Sequence, residues 1–307
     1  MTRWVWSHDM ISTPGHDRIR RIRRKEGGLL SLAAVLLFLS PLPSMAIGTI
    51  VDGSVTFGYT NDFNTTRGNT VDTQFVGAAT GDLTWESWWF FRVSGDGRET
   101  AFAAPDAESY VGSLGRLDWA DPGAAGLFSA ALDLEVLDTG VGMGNLFQNL
   151  RITNTGISDL TIDIFHYTDL DVGNSFGADT ATLVPNASAI EISVLDGTDS
   201  APIIAYGADA YRVTGWNRVL RDLTDRNVDN LDNSGLPFAP GDFTVAFQWS
   251  RTIGAGTTES FLTQFGSNAP LLPPSASAIP EPGTALLSGL GLMLLAGCRR
   301  ADRTRSS

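Results

Sequence analysis

Four side chains that offer hard oxygen ligands lie close together in the chain: Asp169, Asp171, Asn174 and, a little further on, Asp179. Ca2+ takes about six to eight oxygens and accepts loop carbonyls among them, so this glycine-containing stretch is a candidate cation site. It departs from an EF-hand loop, with Gly173 at the fifth position and Thr180 where a bidentate glutamate belongs. Ca2+ is the one cofactor the residues suggest. A second oxygen-rich run holds Asp225, Asn227, Asp229, Asn230 and Asp232. Both runs also have a plain reading, because Asp and Asn are good turn residues in any acidic chain.

Aromatic residues supply the other candidate surface. Trp85, Trp88, Trp89, Phe90 and Phe91 crowd one short segment. A tryptophan face is a flat apolar platform with a polar handle, suited to stacking on a sugar ring. Alternation along a strand puts Trp85 and Trp89 on one face and Trp88 and Phe90 on the other, so at least half of the set must be core. Trp85 and Trp89 are the candidate ligand contacts. Nucleophilic catalysis is poorly supplied: between residues 47 and 279 there is one histidine, His166, and no cysteine. A Ser-His-Asp site would have to use His166, which alternation places beside Ile162 and Ile164, facing a core. A single histidine also makes no zinc site of the nitrogen and sulfur kind. A glycosidase needs two carboxylates at a set separation, which a sequence this rich in acids neither supports nor excludes. No catalytic residue is assigned, and the chain is read as a non-enzyme.

These residues sit on strands. Phe128, Ala130, Leu132, Leu134 and Val136 alternate with more polar neighbours, as do Phe243, Val245, Phe247 and Trp249. Asp159 to Asp171 is apolar on both faces, which predicts a strand covered on both sides or lying under a long loop. Thr49 to Tyr59, Leu83 to Val93, Asn145 to Asn154, Ala189 to Leu195 and Ser260 to Phe265 are further strand candidates. Turns are expected at Asp52-Gly53, Asp96-Gly97, Asn154-Thr-Gly156, Asp196-Gly197 and Pro240-Gly241-Asp242. Only Trp216, Val219, Leu220 and Leu223 recur at helical spacing. The expected fold is all-β, an antiparallel β-sandwich with one short helix.

Residues 47–279 carry 29 Asp plus Glu against 10 Arg and no Lys, a net charge of 10 − 29 = −19. The value of −13 for the whole chain hides this, because the remaining basic residues lie in the terminal segments. Such a body repels phosphate backbones, which argues against nucleic-acid binding. Cys298 is the only cysteine, so no disulfide is available within the body.

The two ends read as targeting segments. Arg18 to Lys25 is basic, Gly28 to Leu39 is apolar, and Ser44 and Ala46 supply small residues. That order predicts a secretory signal peptide over 1–46, with a basic N-terminal extension and cleavage after Ala46. At the other end, Pro280-Glu281-Pro282 precedes an apolar run from Thr284 to Gly297 and then Arg299 and Arg300. Proline holds the first part extended, the apolar run forms a helix able to enter a bilayer, and the arginines would stop transfer. This tail resembles the PEP-CTERM sorting signal, which implies processing by the membrane protease-transpeptidase exosortase at Pro280, Glu281 and Pro282. Trp85 to Arg92, Ile152 to Gly156, Phe165 to Asp171 and Gly241 to Trp249 also resemble an extracellular domain that accompanies such tails.

The expected organisation is therefore a signal peptide (1–46), an acidic body (47–266), a Ser/Ala/Pro linker (267–279) and a sorting tail (280–303). Signal peptidase, exosortase and, transiently, the inner membrane are the expected partners. The destination is the cell envelope, surface or extracellular matrix. Through the resemblance, the leading expectation is a structural or adhesive role in an exopolysaccharide or biofilm matrix. The alternative is a carbohydrate-binding module or polysaccharide-active enzyme of the envelope.

Overall fold

The computed structural model describes residues 48–273, apart from 60–62, 64, 67, 69 and 78–80. The expected signal peptide and sorting tail, with Ala46, Pro280, Glu281, Pro282, Arg299 and Arg300, lie outside the described residues. Strands β1 (Thr49–Asp52), β2 (Val55–Tyr59), β3 (Thr73–Gly77), β4 (Gly81–Asp82), β5 (Thr84–Val93) and β6 (Thr100–Ala101) come first. They are followed by β7 (Ala107–Val111), β8 (Leu114–Trp119), β9 (Phe128–Gly140), β10 (Met143–Asn154) and β11 (Leu160–Leu170). Next come β12 (Asp179–Val184), β13 (Ala189–Asp196), β14 (Asp199–Ser200), β15 (Ile203–Tyr206) and β16 (Ala210–Gly215). A short helix, α1 (Arg218–Leu223), precedes β17 (Phe238–Gly241), β18 (Phe243–Ile253) and β19 (Thr258–Ser267).

The strands form three sheets, and the pairings between named strands are antiparallel. The largest has ten strands in the order β17-β12-β13-β15-β19-β10-β9-β8-β7, with β14 beside β13. Five strands make the second, in the order β16-β18-β11-β5-β6. The small sheet is β1-β2-β3-β4. Among the described residues no helix is long and apolar enough to cross a membrane.

Period-two patterning explains the main layers. Ile162, Ile164, His166 and Leu170 of β11 face the ten-stranded sheet, where His166 meets the ring of Phe265 at 5.7 Å. Trp249 of β18 packs edge-on to Phe261 of β19 at 5.9 Å, and Trp89 Nε1 donates to Gln148 Oε1 of β10 at 3.4 Å. The opposite face of β11, with Phe165 and Tyr167, is buried as well. Tyr59 packs edge-on to Trp88 on that side, and Leu231 is held there by a bond from its amide to Gln248 Oε1. Hence the double apolar face read from the sequence. The small sheet approaches β10 through Gly144, where a Cβ would lie 2.6 Å from Val55 Cγ2.

Other expectations met different outcomes. Val219, Leu220 and Leu223 are buried on α1, but Trp216 precedes the helix and is exposed. Pro240-Gly241 forms the end of strand β17 instead of a turn; a proline can stand there because its missing donor faces no inner neighbour. The stretch expected as linker begins in structure, with Ser267 ending β19 and Ala269 buried.

Candidate functional site

One end of the five-stranded sheet gathers the chemistry. Thr84, Leu170, Phe243 and Gly215 form one row across β5, β11, β18 and β16, and Glu86, Asp169, Thr244 and Thr214 form the next. Side chains directly opposite one another share a face, so Glu86, Asp169, Thr244 and Thr214 line the same side. Between the two rows β5 carries a bulge, since Leu170 pairs with Thr84 and Asp169 with Glu86. Trp85 is the extra residue. A bulge re-aims the side chain it carries, and Trp85 is 58% exposed while Thr84 and Glu86 on either side are buried.

The rows continue past the strand ends. Trp216 N–H donates to the Asp242 carbonyl at 3.1 Å and Asp171 N–H to the Leu83 carbonyl at 3.0 Å. Asp179, the first residue of β12, pairs with Gly241 next to Asp242. Topology thus brings acids from three separate segments together. One carboxylate oxygen each from Asp169, Asp171 and Asp242 lie within 4.8 Å of one another. By alternation Asp171 and Asp242 share the face of Asp169 and Thr244, and so does Trp216, itself 55% exposed.

Electrostatically the cluster is uncompensated. Burial, followed by Asp242 and Asp171, pushes Asp169 up to about 9. Burial, then Asp196 and Asp171, raises Asp179 to about 8. Glu86 rises to about 7, chiefly by burial and against a bond from the Thr70 amide, and Asp171 rises to about 6 by burial and then Asp242. No arginine or lysine is among the charges acting on these four groups. Asp169 Oδ1 and both oxygens of Asp179 are buried with no hydrogen bond of full geometry, although the Phe243 amide pulls Asp179 slightly down. The Tyr167 hydroxyl is buried and unpartnered too. A buried carboxylate without partners either keeps a proton or holds a cation. The residues at this end of the sheet are therefore an acidic group fit to hold a metal ion.

Of the expected ligands, Asp169, Asp171 and Asp179 belong to this group. The side chain of Asn174 lies against Gly81. Asp242 and Glu86 went unseen in the sequence, Asp242 because Gly241-Asp242 reads locally as a turn. The clue was topological: Asp171 directly follows β11 and Asp242 directly precedes its antiparallel neighbour β18. Trp89 is 1% exposed and stacks on Trp249 at 5.8 Å, so of the candidate sugar contacts only Trp85 reaches solvent. The bulge breaks the alternation that would have put both on one face. His166 is fully buried, bonded at 3.2 Å to Ser87 Oγ, and held neutral because burial lowers it to about 3. The second acidic run is a strap held by arginines. Arg92 donates to the Asp229 carbonyl and Asn230 Oδ1, and Arg212 to Asp232.

No family model matches the chain, and no curated protein matches it. Among solved structures it is similar to a bacterial glucoamylase complexed with acarbose, at TM-score 0.49 and 11% identity over 72% of this chain. The chain spans 32% of that glucoamylase. It is also similar to a galactose mutarotase related enzyme from Lactobacillus acidophilus, at TM-score 0.45 and 7% identity over 72% of this chain and 97% of the other. A putative aldose 1-epimerase from Escherichia coli K12 gives TM-score 0.44 and 12% identity over 71% and 97%. All three carry the names of carbohydrate enzymes. Two expectations are corrected here: a structural or adhesive role, and the absence of enzymatic activity. With TM-scores below 0.5 the likeness assigns no activity or substrate to this chain.

Proposed function

We propose that the chain is a carbohydrate-active enzyme of the bacterial envelope, centred on the acidic end of the five-stranded sheet, with Ca2+ as its cofactor. One observation carries this reading: Trp85 on β5 and Trp216 just past β16, both exposed, stand on the strands either side of the ends of β11 and β18, where Asp169, Asp171 and Asp242 gather. The two tryptophans stand three strands apart in the order β5-β11-β18-β16, about 14 Å at the usual spacing of about 4.8 Å. An oligosaccharide laid across those strands would meet an aromatic face at each end and acceptors for its hydroxyls between them. Asp169, Asp171, Asp179 and Asp242 would hold the ion. Held there, Ca2+ would supply the positive charge that the cluster lacks and a Lewis-acidic centre for oxygen ligands. A second reading rests on the split between Asp169 and Asp171, at about 9 and about 6. Without metal, the first would be a proton donor and the second a base at neutral pH.

The address remains as the sequence suggests. Signal peptidase would cut after Ala46 and exosortase near Pro280-Glu281-Pro282, with Arg299 and Arg300 on the cytoplasmic side. The body would then be delivered to the envelope or to an exopolysaccharide matrix.

Calorimetric titration of the EDTA-treated body with CaCl2, followed by assay on a polysaccharide panel for new chain ends, tests both parts. Saturable binding of one ion that is lost in D169N/D171N, with turnover on at least one polymer, is expected. Absence of turnover and of polymer binding across the panel, with or without Ca2+, would end the enzyme reading.

A further inference from the structure

The opposite end of the same sheet carries a different kind of site. Arg92, Arg116, Arg151, Arg212 and Arg251 all pair with carboxylates. In an acidic body this is expected, since acids outnumber arginines almost threefold between residues 47 and 279. Arg98, Arg218, Arg221 and Arg226 have no carboxylate partner among the described residues, and all four are exposed. Arg98, in the β5–β6 connection, and Arg226, three residues past the end of α1, meet at one place.

A cavity of about 650 Å³ opens between them, with Arg98 and Arg226 both in its wall. That volume is in the range of small-molecule sites. Thr65, Thr66 and Thr100 line it as well, with hydroxyls that can donate and accept, whereas the Thr224 hydroxyl in the same wall already donates to the Leu220 carbonyl and accepts from the Gly68 amide. Two acids share the wall, and each accepts hydrogen bonds of its own, although Glu99 Oε2 is buried without a partner. Glu99 Oε1 accepts from Arg92 at 2.5 Å and from the Asp229 amide at 3.0 Å. Asp225 accepts from the Asn227 amide at 2.6 Å and from its side chain at 2.7 Å. Of the two acids only Glu99 is paired with an arginine, Arg92, so Arg98 and Arg226 are the cations of the wall that no carboxylate pairs with among the described residues.

We infer that this cavity binds a carboxylate-bearing sugar unit, a hexuronate of an acidic polysaccharide, with its carboxylate on Arg98 and Arg226 and its hydroxyls on the threonine wall. Guanidinium forks match a carboxylate in geometry and charge, whereas the rest of this surface repels one. The inference rests on the carbohydrate reading and names its substrate class. It uses residues remote from the acidic cluster.

The test is calorimetric titration of the whole body with trigalacturonate and, in parallel, with maltotriose, a neutral sugar of equal length. Wild type, R98A/R226A and W85A/W216A are compared at 20 and 200 mM NaCl, with thermal melts showing that each variant is folded. The expected result is trigalacturonate binding that weakens at least about 10-fold in R98A/R226A and loses most of its salt dependence. Equal affinity for the two sugars, unchanged in R98A/R226A and lost in W85A/W216A, overturns the cavity assignment and leaves the carbohydrate reading standing. If neither these sugars nor the polysaccharide panel above binds wild-type protein, both fall.

Discussion

Asp169 concentrates the chemistry of the site in one side chain. It is 1% exposed and has one oxygen without a partner, so an unoccupied cluster is a cost to the fold. Replacing it with Asn removes a buried, unpaired carboxylate. We expect D169N in EDTA at pH 8 to be more stable than wild type, by about 1–3 kcal/mol, while losing stabilisation by Ca2+. Urea titrations with and without CaCl2 measure both effects. If D169N is less stable in EDTA and still responds to Ca2+, Asp169 is not a ligand. The pH profile follows from the same groups. Glu86, Asp171, Asp179 and Asp169 rise to about 7, 6, 8 and 9, above their ordinary values near 4. Over that window the folded state binds more protons than the unfolded chain. Their stabilisation is therefore complete below about pH 4 and fades as pH rises through about 6 to 9. Metal-free protein should lose stability on going from pH 5 to pH 9, on the order of a few kcal/mol, and Ca2+ should flatten the slope. A metal-free profile that rises with pH would contradict this assignment.

Strands decide which of these residues can act. The bulge in β5 separates two tryptophans that alternation alone would pair, and their substitutions should part company. W85A should leave stability within about 0.5 kcal/mol and weaken sugar binding about 3- to 10-fold. W89A should cost about 3–5 kcal/mol, because Trp89 is buried between His166 and Trp249. Melting curves beside saccharide titrations separate the two effects. The strap at 229–231 depends on Arg92, which bonds Glu99 and Asp163 and lies 5.4 Å over Phe165. R92M strands a buried Glu99 and should cost about 3–5 kcal/mol in urea, with earlier proteolysis near residue 226.

Much of this layer was readable in the chain. The alternations in β9 and β18 and the double apolar face of β11 gave the strands that form the middle of the molecule. The hairpin of β7 and β8 was not readable, because β7 is exposed on both faces and so carries no alternation. Three of the four proposed metal ligands were visible as local spacing. Asp242 was not, since its nearness to Asp171 is a matter of register between β11 and β18. The bulge at Trp85 has the same origin.

At the scale of the whole molecule the prediction concerns processing. Expressed with and without exosortase, the chain should lose its residues after Pro280-Glu281-Pro282 only in the first host, as read by intact mass. A tail retained in both would leave an anchored body and refute the sorting proposal. The sheets have a consequence for how such a body behaves once released at high local concentration. A strand with an open side can recruit its counterpart in another molecule and seed a fibre. Here each flank of the two larger sheets is blunted. β17 carries Pro240, β7 is short and bears Glu108, and β6 is two residues long. Beside β16, Asn233 N–H donates to the Tyr211 carbonyl and Val213 N–H to that of Ser234, so the strap takes the place a stranger would occupy. Polymer-rich surroundings would crowd these molecules without stitching them together, and each copy would keep the acidic end of its five-stranded sheet free.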